Sequence, residues 1–123
     1  MASHSTPRID GFKAGADLSA KQYCFVVFGA DDEHVVAAGA GVAPIGIVQN
    51  APTAERMAEV AKQGGGAKLL IAGVVTRGDF VKSDANGAGL AAVAGDKYGA
   101  MAMASGVAGD VIPVEVQPGE LET

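Results

Sequence analysis

The segment Tyr98–Gln117 constrains the fold of this chain more than any other, because it holds two short apolar runs separated by a turn. A Ser-Gly-Val-Ala-Gly-Asp turn connects the first run, Gly99–Ala104, to the second, Val111–Val116. The second run is rich in β-branched residues and partly alternates, as a half-buried strand does. Pro113 cannot donate a ladder hydrogen bond, which favours an edge strand or a proline that faces away from its partner. The segment predicts a strand, a tight turn and a second strand.

The same arrangement of short apolar runs and turns recurs through the rest of the chain. Gln22–Phe28 is the strongest predicted strand, because it is aromatic and β-branched and is followed by a glycine. The 18 glycines favour many turns over long helices. Strands of about 4–7 residues with turns roughly every 8–12 residues are typical of an all-β barrel or sandwich. The other predicted strands are Val35–Ala38, Ile45–Val48, Lys68–Ala72, Phe80–Lys82 and Leu90–Val93.

The segment Ala54–Lys62 allows two assignments. Its composition has good helix propensity, and as a strand it would alternate poorly between apolar and polar residues. The two halves of the chain, however, share an order of features in which Pro52–Val60 corresponds to Val107–Val116, and this correspondence favours a strand. The repeat indicates either two similar hairpin units in one core or the ordinary recurrence of turn residues in an all-β chain.

Three regions are predicted within the 123 residues, a length that suits one domain with a modest core. Residues 1–13 are polar and without periodicity, so they are either disordered or an extended arm that grips a partner. Residues 14–117 are expected to form a single β domain. Residues 118–123 are expected to form an acidic C-terminal tail.

Charge and composition exclude several classes of function. The net charge of −5 and the lack of a basic cluster argue against nucleic-acid binding and against a polybasic membrane anchor. Cys24 is the only cysteine, so the chain fits a reducing compartment or is indifferent to redox state. No apolar run reaches the roughly 18 residues of a transmembrane helix, and the N-terminus has no apolar signal core. We expect a soluble intracellular product.

The motifs that suggest chemistry are incomplete. Residues 39–44 lack the third glycine of a dinucleotide fingerprint, and residues 64–66 lack the Gly-Lys-Ser/Thr of a P-loop. The run Asp-Asp-Glu-His at 31–34 would point its side chains to opposite faces of a strand, which disfavours a metal site. Residues 84–95 depart from the EF-hand pattern at the positions that bind calcium. We interpret all four segments as loops and turns.

A nucleophile–base pair could combine Cys24 with His4 or His34. Cys24 lies in the most apolar predicted strand, where a cysteine acts as a small hydrophobic residue. The serines lack the Gly-x-Ser-x-Gly elbow. An acidic pair such as Asp79 and Asp110 would be an enzymatic alternative, although turn roles account for both residues. We therefore expect binding or building rather than catalysis.

Several short motifs follow one another in an informative order. They are Gly-Val-Ala-Pro-Ile-Gly-Ile-Val (41–48), Pro-Thr-Ala (52–54), Ala-Gly-Val-Val-Thr-Arg-Gly-Asp-Phe-Val (72–81), Asp-Ala-Asn-Gly (84–87), Tyr-Gly-Ala-Met-Ala (98–102) and Ala-Gly-Asp-Val-Ile-Pro-Val (108–114). This order, over residues 15–116, resembles the small capsid cement, or head decoration, proteins of tailed bacteriophages. The chain departs from the family pattern at residues 56–57 and 64–66, where the family usually alternates like a strand.

The resemblance implies a small β-barrel or β-tulip-like domain with an extended N-terminal arm, usually a homotrimer. Such proteins bind the outside of the mature shell at three-fold positions and stabilise it by bridging subunits of the major capsid protein. The resemblance implies neither enzymatic activity nor a cofactor. It implies a location on the outer capsid surface of the virion after synthesis in the host bacterial cytoplasm. The arm adds to the shell contact in related proteins. The corresponding candidates here are Ser3, His4, Ser5, Thr6, Pro7, Arg8, Ile9, Asp10 and Phe12.

The main alternative is a β-barrel module that binds a small ligand or a carbohydrate. Sugar binding would require exposed aromatic rings for stacking. The chain has two tyrosines and four phenylalanines, mostly inside predicted strands. This composition favours the structural role.

Overall fold

The computed structural model describes residues 9–31 and 33–122, and in this part of the chain ten β-strands form and no helix does. The prediction of an all-β fold is confirmed. The strands are β1 Ile9–Ala14, β2 Phe25–Phe28, β3 His34–Ala37, β4 Gly46–Val48, β5 Met57–Ala61, β6 Gly66–Leu70, β7 Phe80–Ser83, β8 Gly89–Ala91, β9 Lys97–Ala102 and β10 Val111–Glu120.

The first five strands close into a barrel in the order β1-β3-β2-β4-β5. β1 and β3 are parallel and close the barrel through the pairs Lys13–His34 and Ala14–Val35. The other neighbouring strands are antiparallel. The core of this barrel consists of small aliphatic side chains, as the low aromatic content predicts. Its buried members are Ala14, Leu18, Val26, Val35, Val48, Ala58 and Val60.

The last five strands form a second sheet in the order β6-β10-β9-β7-β8. A single parallel bridge, Ile71–Gly89, connects the end of β6 to β8. The main buried cluster of the protein lies in this sheet and includes Leu69, Val81 and Val114, but Phe25 and Ile47 of the barrel also belong to it. The two sheets therefore share one hydrophobic core.

The two sheets repeat one another in topology and in register. β1 and β5 pair Ile9–Lys13 with Met57–Ala61, and β6 and β10 pair Gly66–Leu70 with Val111–Glu115, over five positions in each case. The β2–β3 register recurs in β7–β8, the β2–β4 register in β7–β9, and the β4–β5 register in β9–β10. The repeat in the sequence is therefore a repeat of structure. We call residues 9–61 the first unit and residues 66–120 the second unit.

Part of the segment predicted to be an arm lies in the barrel. β1 begins at Ile9 and pairs with β5 and β3, so residues 9–13, which were expected to belong to the arm, lie in the barrel. The segment expected to be a tail also contributes to a sheet, because β10 continues to Glu120 and pairs with β9 there. Residues 1–8 of the arm predicted over residues 1–13 lie outside the described residues, and their role stays a prediction.

The segment Ala54–Lys62 contains a strand, β5, rather than a helix. β5 pairs with β1 on one side and with β4 on the other. These pairings bury Ala58, Val60 and Ala61 completely, while Met57 and Glu59 stay exposed. The burial obtained in the sheet outweighs the local helix propensity.

Pro113 does not mark an edge, because β10 pairs with β6 on one side and β9 on the other. The ladder to β9 starts only at Val114, one residue after the proline. The Pro113 carbonyl accepts a hydrogen bond of 3.0 Å from the Met103 N–H just beyond β9. The missing N–H thus falls where this ladder ends.

Candidate functional site

The residues predicted to contact a partner divide into two groups. Ser3, His4, Ser5, Thr6, Pro7 and Arg8 lie outside the described residues. Ile9, Asp10 and Phe12 lie on β1, where Ile9 pairs with Ala61 and Asp10 with Val60. The Phe12 ring packs edge-on against Phe28 at 5.8 Å between centroids. Phe12 therefore helps to build the barrel, and it is only half-buried.

An open groove lies on the outer surface of the first unit beside β1. Met57 is 65 % exposed at this groove, and its side chain lies beside Gly11, where a Cβ would be in ordinary contact with the Met57 sulfur at 3.5 Å. Lys13 and Glu33 form an exposed ion pair of 3.9 Å. An apolar centre with a charged rim suits contact with a protein surface. The groove is lined by Gly11, Phe12, Lys13, Glu33, Glu55 and Met57.

A histidine joins two carboxylates next to this groove. His34 Nδ1 lies 2.7 Å from Asp31 Oδ1, and His34 Nε2 lies 3.0 Å from Glu55 Oε1. These two hydrogen bonds raise the pKa of His34, and the bond to Asp31 has a larger effect than the bond to Glu55. The bond from His34 lowers the pKa of Asp31 in turn. The protonated ring, a donor at both nitrogens, thus connects the loop before β3 to the turn before β5.

The turn that carries Glu55 has an unusual backbone. Glu55 has a φ of 68°, in the left-handed region, where a glutamate is strained. The second unit has Gly109 at the corresponding position, with a φ of 92°. The first unit therefore places a carboxylate where glycine would be the natural choice. The hydrogen bond to His34 offsets part of that cost.

The residues that the sequence suggests for catalysis have structural roles. Asp79 Oδ2 accepts a hydrogen bond of 2.9 Å from the Thr76 N–H, and Asp110 Oδ2 accepts one of 2.9 Å from the Val107 N–H. Cys24 is buried, and burial raises the pKa of its thiol, which disfavours the reactive thiolate. The turn interpretation of the two aspartates and the interpretation of Cys24 as a packing residue both agree with these contacts.

Among residues 9–31 and 33–122, no group of three His, Cys, Asp or Glu side chains is arranged to hold a metal ion. In the same part of the chain, no helix is long and apolar enough to span a membrane.

The aromatic residues of the described chain pack mainly against one another. Phe80 and Tyr98 stack with their ring centroids 4.3 Å apart, and both are half-buried. Phe28 is 49 % exposed but forms a T-shaped pair with Phe12. Stacking on a sugar needs an open ring face, so these contacts give the carbohydrate alternative little support.

The groove was not found from the sequence, because it combines β1, the loop before β3 and the start of β5. Its signal in the sequence is weak. Met57 occupies an outward position of a strand, but its segment looks helical when considered alone. By strand register, Met57 corresponds to Val111 of the second unit, which is also an exposed apolar residue.

Comparisons with known proteins show a structural likeness but no sequence match. No family model and no curated protein matches the chain. The chain is similar to a solved structure, the N base of the head fibre gp8.5 in bacteriophage phi29, with a TM-score of 0.72. The two sequences are 13 % identical, and the match covers 94 % of this chain and 99 % of that chain. At this identity the likeness concerns the fold, and it agrees with the resemblance to head decoration proteins of tailed phages.

Proposed function

We propose that this protein is a structural component of a phage virion that binds the outside of the capsid at three-fold positions. There it stabilises the shell by bridging subunits of the major capsid protein. The observation that supports the proposal is the fold shared, over 94 % of the chain, with the base of a phage head fibre. The motif order over residues 15–116 supports the same role from the sequence.

The physical properties of the chain suit this role. A protein that binds only the assembled shell adds its binding free energy to shell stability by linkage. A homotrimer matches a three-fold position and can engage three capsid subunits at once, so weak contacts sum through multivalency. The net charge of −5 supports a partner that is neither nucleic acid nor an anionic membrane. The proposed role needs no enzyme activity and no cofactor.

Residues 1–8 are the proposed grip on the shell. A segment that orders on binding loses entropy, but it can cover a broad surface. Because β1 starts at Ile9, a deletion of residues 1–8 leaves the barrel strands intact. A deletion that reached Lys13 would instead remove most of β1 and unfold the barrel, so it could not test the arm.

The experiment is co-sedimentation of the purified protein with undecorated, expanded shells from the same source. Three proteins are compared, namely the full chain, the chain without residues 1–8, and a chain in which residues 2–8 are replaced by a Gly/Ser segment of equal length. We expect saturable binding of the full chain at a fixed ratio to the capsid subunit, and loss of binding in both altered chains. Retained binding in both would move the contact to the barrel. A full chain that is folded yet does not pellet with shells would overturn the proposal.

A further inference from the structure

The contact between the two units shows how one unit receives another. The Tyr23–Phe25 segment of the first unit enters between β6 and the loop before β8 of the second unit. The Leu70 N–H donates to the Tyr23 carbonyl at 2.8 Å, and the Phe25 N–H donates to the Gly87 carbonyl at 2.7 Å. This insertion separates β6 from β8, which meet only at one bridge further along. The first unit thus supplies a plug, and the second unit supplies a seat.

Side chains of the first unit complete the plug. Gln49 exchanges two hydrogen bonds of 3.1 Å with the main chain of Lys68 on β6. Phe25 and Ile47 are both 0 % exposed and belong to the core cluster of the second unit. These side chains are therefore covered because another unit lies against them.

The second unit carries a corresponding face that no part of the described chain covers to the same degree. By register, Phe25 corresponds to Phe80 and Ile47 to Met101, and both second-unit residues are only half-buried. Continuing the same register, Gln49 corresponds to Met103, which is 46 % exposed. An aromatic and methionine-rich patch of this kind is typical of an interface core. We call Phe80, Tyr98, Met101 and Met103 the methionine face.

The first unit carries the corresponding seat. By register, Lys68 corresponds to Gly11 and Leu70 to Lys13. These first-unit residues line the open groove beside β1. In the second unit, the equivalent residues receive the plug. The groove is therefore the site on the first unit that corresponds to the seat of the second unit. In the first unit the Lys13 N–H donates directly to the Glu33 carbonyl at 2.7 Å, so this seat is shallower.

We propose that the methionine face of one copy docks in the groove of a second copy, head to tail. Because β1 and β3 pair directly, no strand can insert between them, and the side chains of the methionine face fill this seat instead. Met103 and Phe80 would lie over Gly11 and against Met57. In the docked pair, Arg77, three residues before Phe80 in sequence, would lie toward the groove rim that holds Glu33 and Glu55.

A head-to-tail contact uses two different surfaces, so it can close into a ring. The proposal identifies the two surfaces that would form each interface of the homotrimer in the proposed function. It rests on that function only for the number of copies, which is three. The contact between copies would repeat, with new side chains, the contact already present within each copy. A two-fold contact, in contrast, would place one surface against itself.

The test uses two variants that each remove one surface. Met103→Asp places a charge in the methionine face, and Met57→Asp places one in the groove. Both side chains are exposed, so both variants should fold, and urea unfolding checks this. Val74→Asp is the matched control, because Val74 is 72 % exposed. When the correspondence between β1 and β6 is extended along the chain, Val74 corresponds to Asp17, so the first unit already has an aspartate at this position.

Sedimentation velocity over the micromolar to millimolar range measures the assemblies. We expect the wild-type chain and V74D to form the same oligomer, M103D and M57D each to be monomeric, and an equimolar mixture of M103D and M57D to form a dimer. The mixture retains one intact face and one intact groove, which allow a single contact. The inference is overturned if the wild type stays monomeric, if either variant alone keeps the wild-type mass, or if the mixture stays monomeric. A monomeric wild type that still binds shells would overturn this inference alone, whereas an oligomer that ignores shells would overturn the proposed function alone.

Discussion

Truncation of Phe25 to alanine removes the side chain that joins the two units most directly. Phe25 is 0 % exposed and packs in the core cluster that contains Leu69 of the second unit. Truncating a buried phenylalanine costs about 3–5 kcal/mol, because transfer free energy is lost and a cavity remains. Its counterpart Phe80 is half-buried, so the same truncation there should cost roughly half as much, about 1.5–2.5 kcal/mol.

The two variants are compared by urea unfolding at low protein concentration, where contacts between copies contribute little. A domain of this size is stable by about 5–15 kcal/mol, so F25A should shift the unfolding midpoint strongly while leaving the slope unchanged. F80A should shift it by clearly less. Equal losses of stability in F25A and F80A would refute the reasoning, because the contact between the units would then add nothing to the stability that Phe25 contributes.

Three further predictions concern the barrel closure and the turns. The stability that His34 contributes through its raised pKa is complete below pH 6.5 and is lost as the pH rises through that raised pKa. Its aspartate partner, with a lowered pKa, contributes above pH 3.8 and loses this as the pH falls through the lowered value. H34A should therefore flatten the curve of stability against pH, and an unchanged curve would contradict this. Gly46→Ala should cost about 1–3 kcal/mol of stability, because a Cβ at this position meets the main chain of β5. Gly39→Ala is the control and should be neutral by thermal unfolding, because a Cβ there meets nothing within 4 Å. Similar losses of stability in the two variants would count against the packing argument. Asp79→Ala and Asp110→Ala should each cost about 0.5–1.5 kcal/mol through a lost turn hydrogen bond, and an unshifted thermal midpoint would exclude those turn roles.

The strands were predictable wherever local pattern and burial agree. Val111–Val116 alternates in sequence, and its residues alternate between exposed and buried in β10. Phe80–Lys82 was bounded by turn residues, and it forms β7 with one more residue at its end. Turn chemistry set these limits locally, so the sequence alone was sufficient.

Features that depend on distant pairing were not predictable in the same way. β5 has helix propensity and becomes a strand only because β1 and β4 pair with it. β1 was expected to be part of an arm, since the segment is polar and its partner strands lie more than twenty residues away. Pro113 tolerates a central strand because its ladder ends beside it. In each case long-range contacts determine the structure.

The candidate groove belongs to the same class. Gly11 and Met57 are unremarkable in the sequence and come together through the β1–β5 register. The left-handed Glu55 could not be foreseen either, because glycine rather than glutamate is the residue that this backbone favours. The registers of the folded strands, rather than the order of features in the sequence, relate Glu55 to Gly109.

The most direct test of the central claim is a cryo-electron microscopy reconstruction of expanded shells to which the purified protein has been added. The account predicts new density on the outer surface at the three-fold positions, in contact with neighbouring major capsid subunits and large enough for three copies of the chain. Shells that stay undecorated in the presence of excess folded protein, or that carry the added density only on their inner surface, would contradict it.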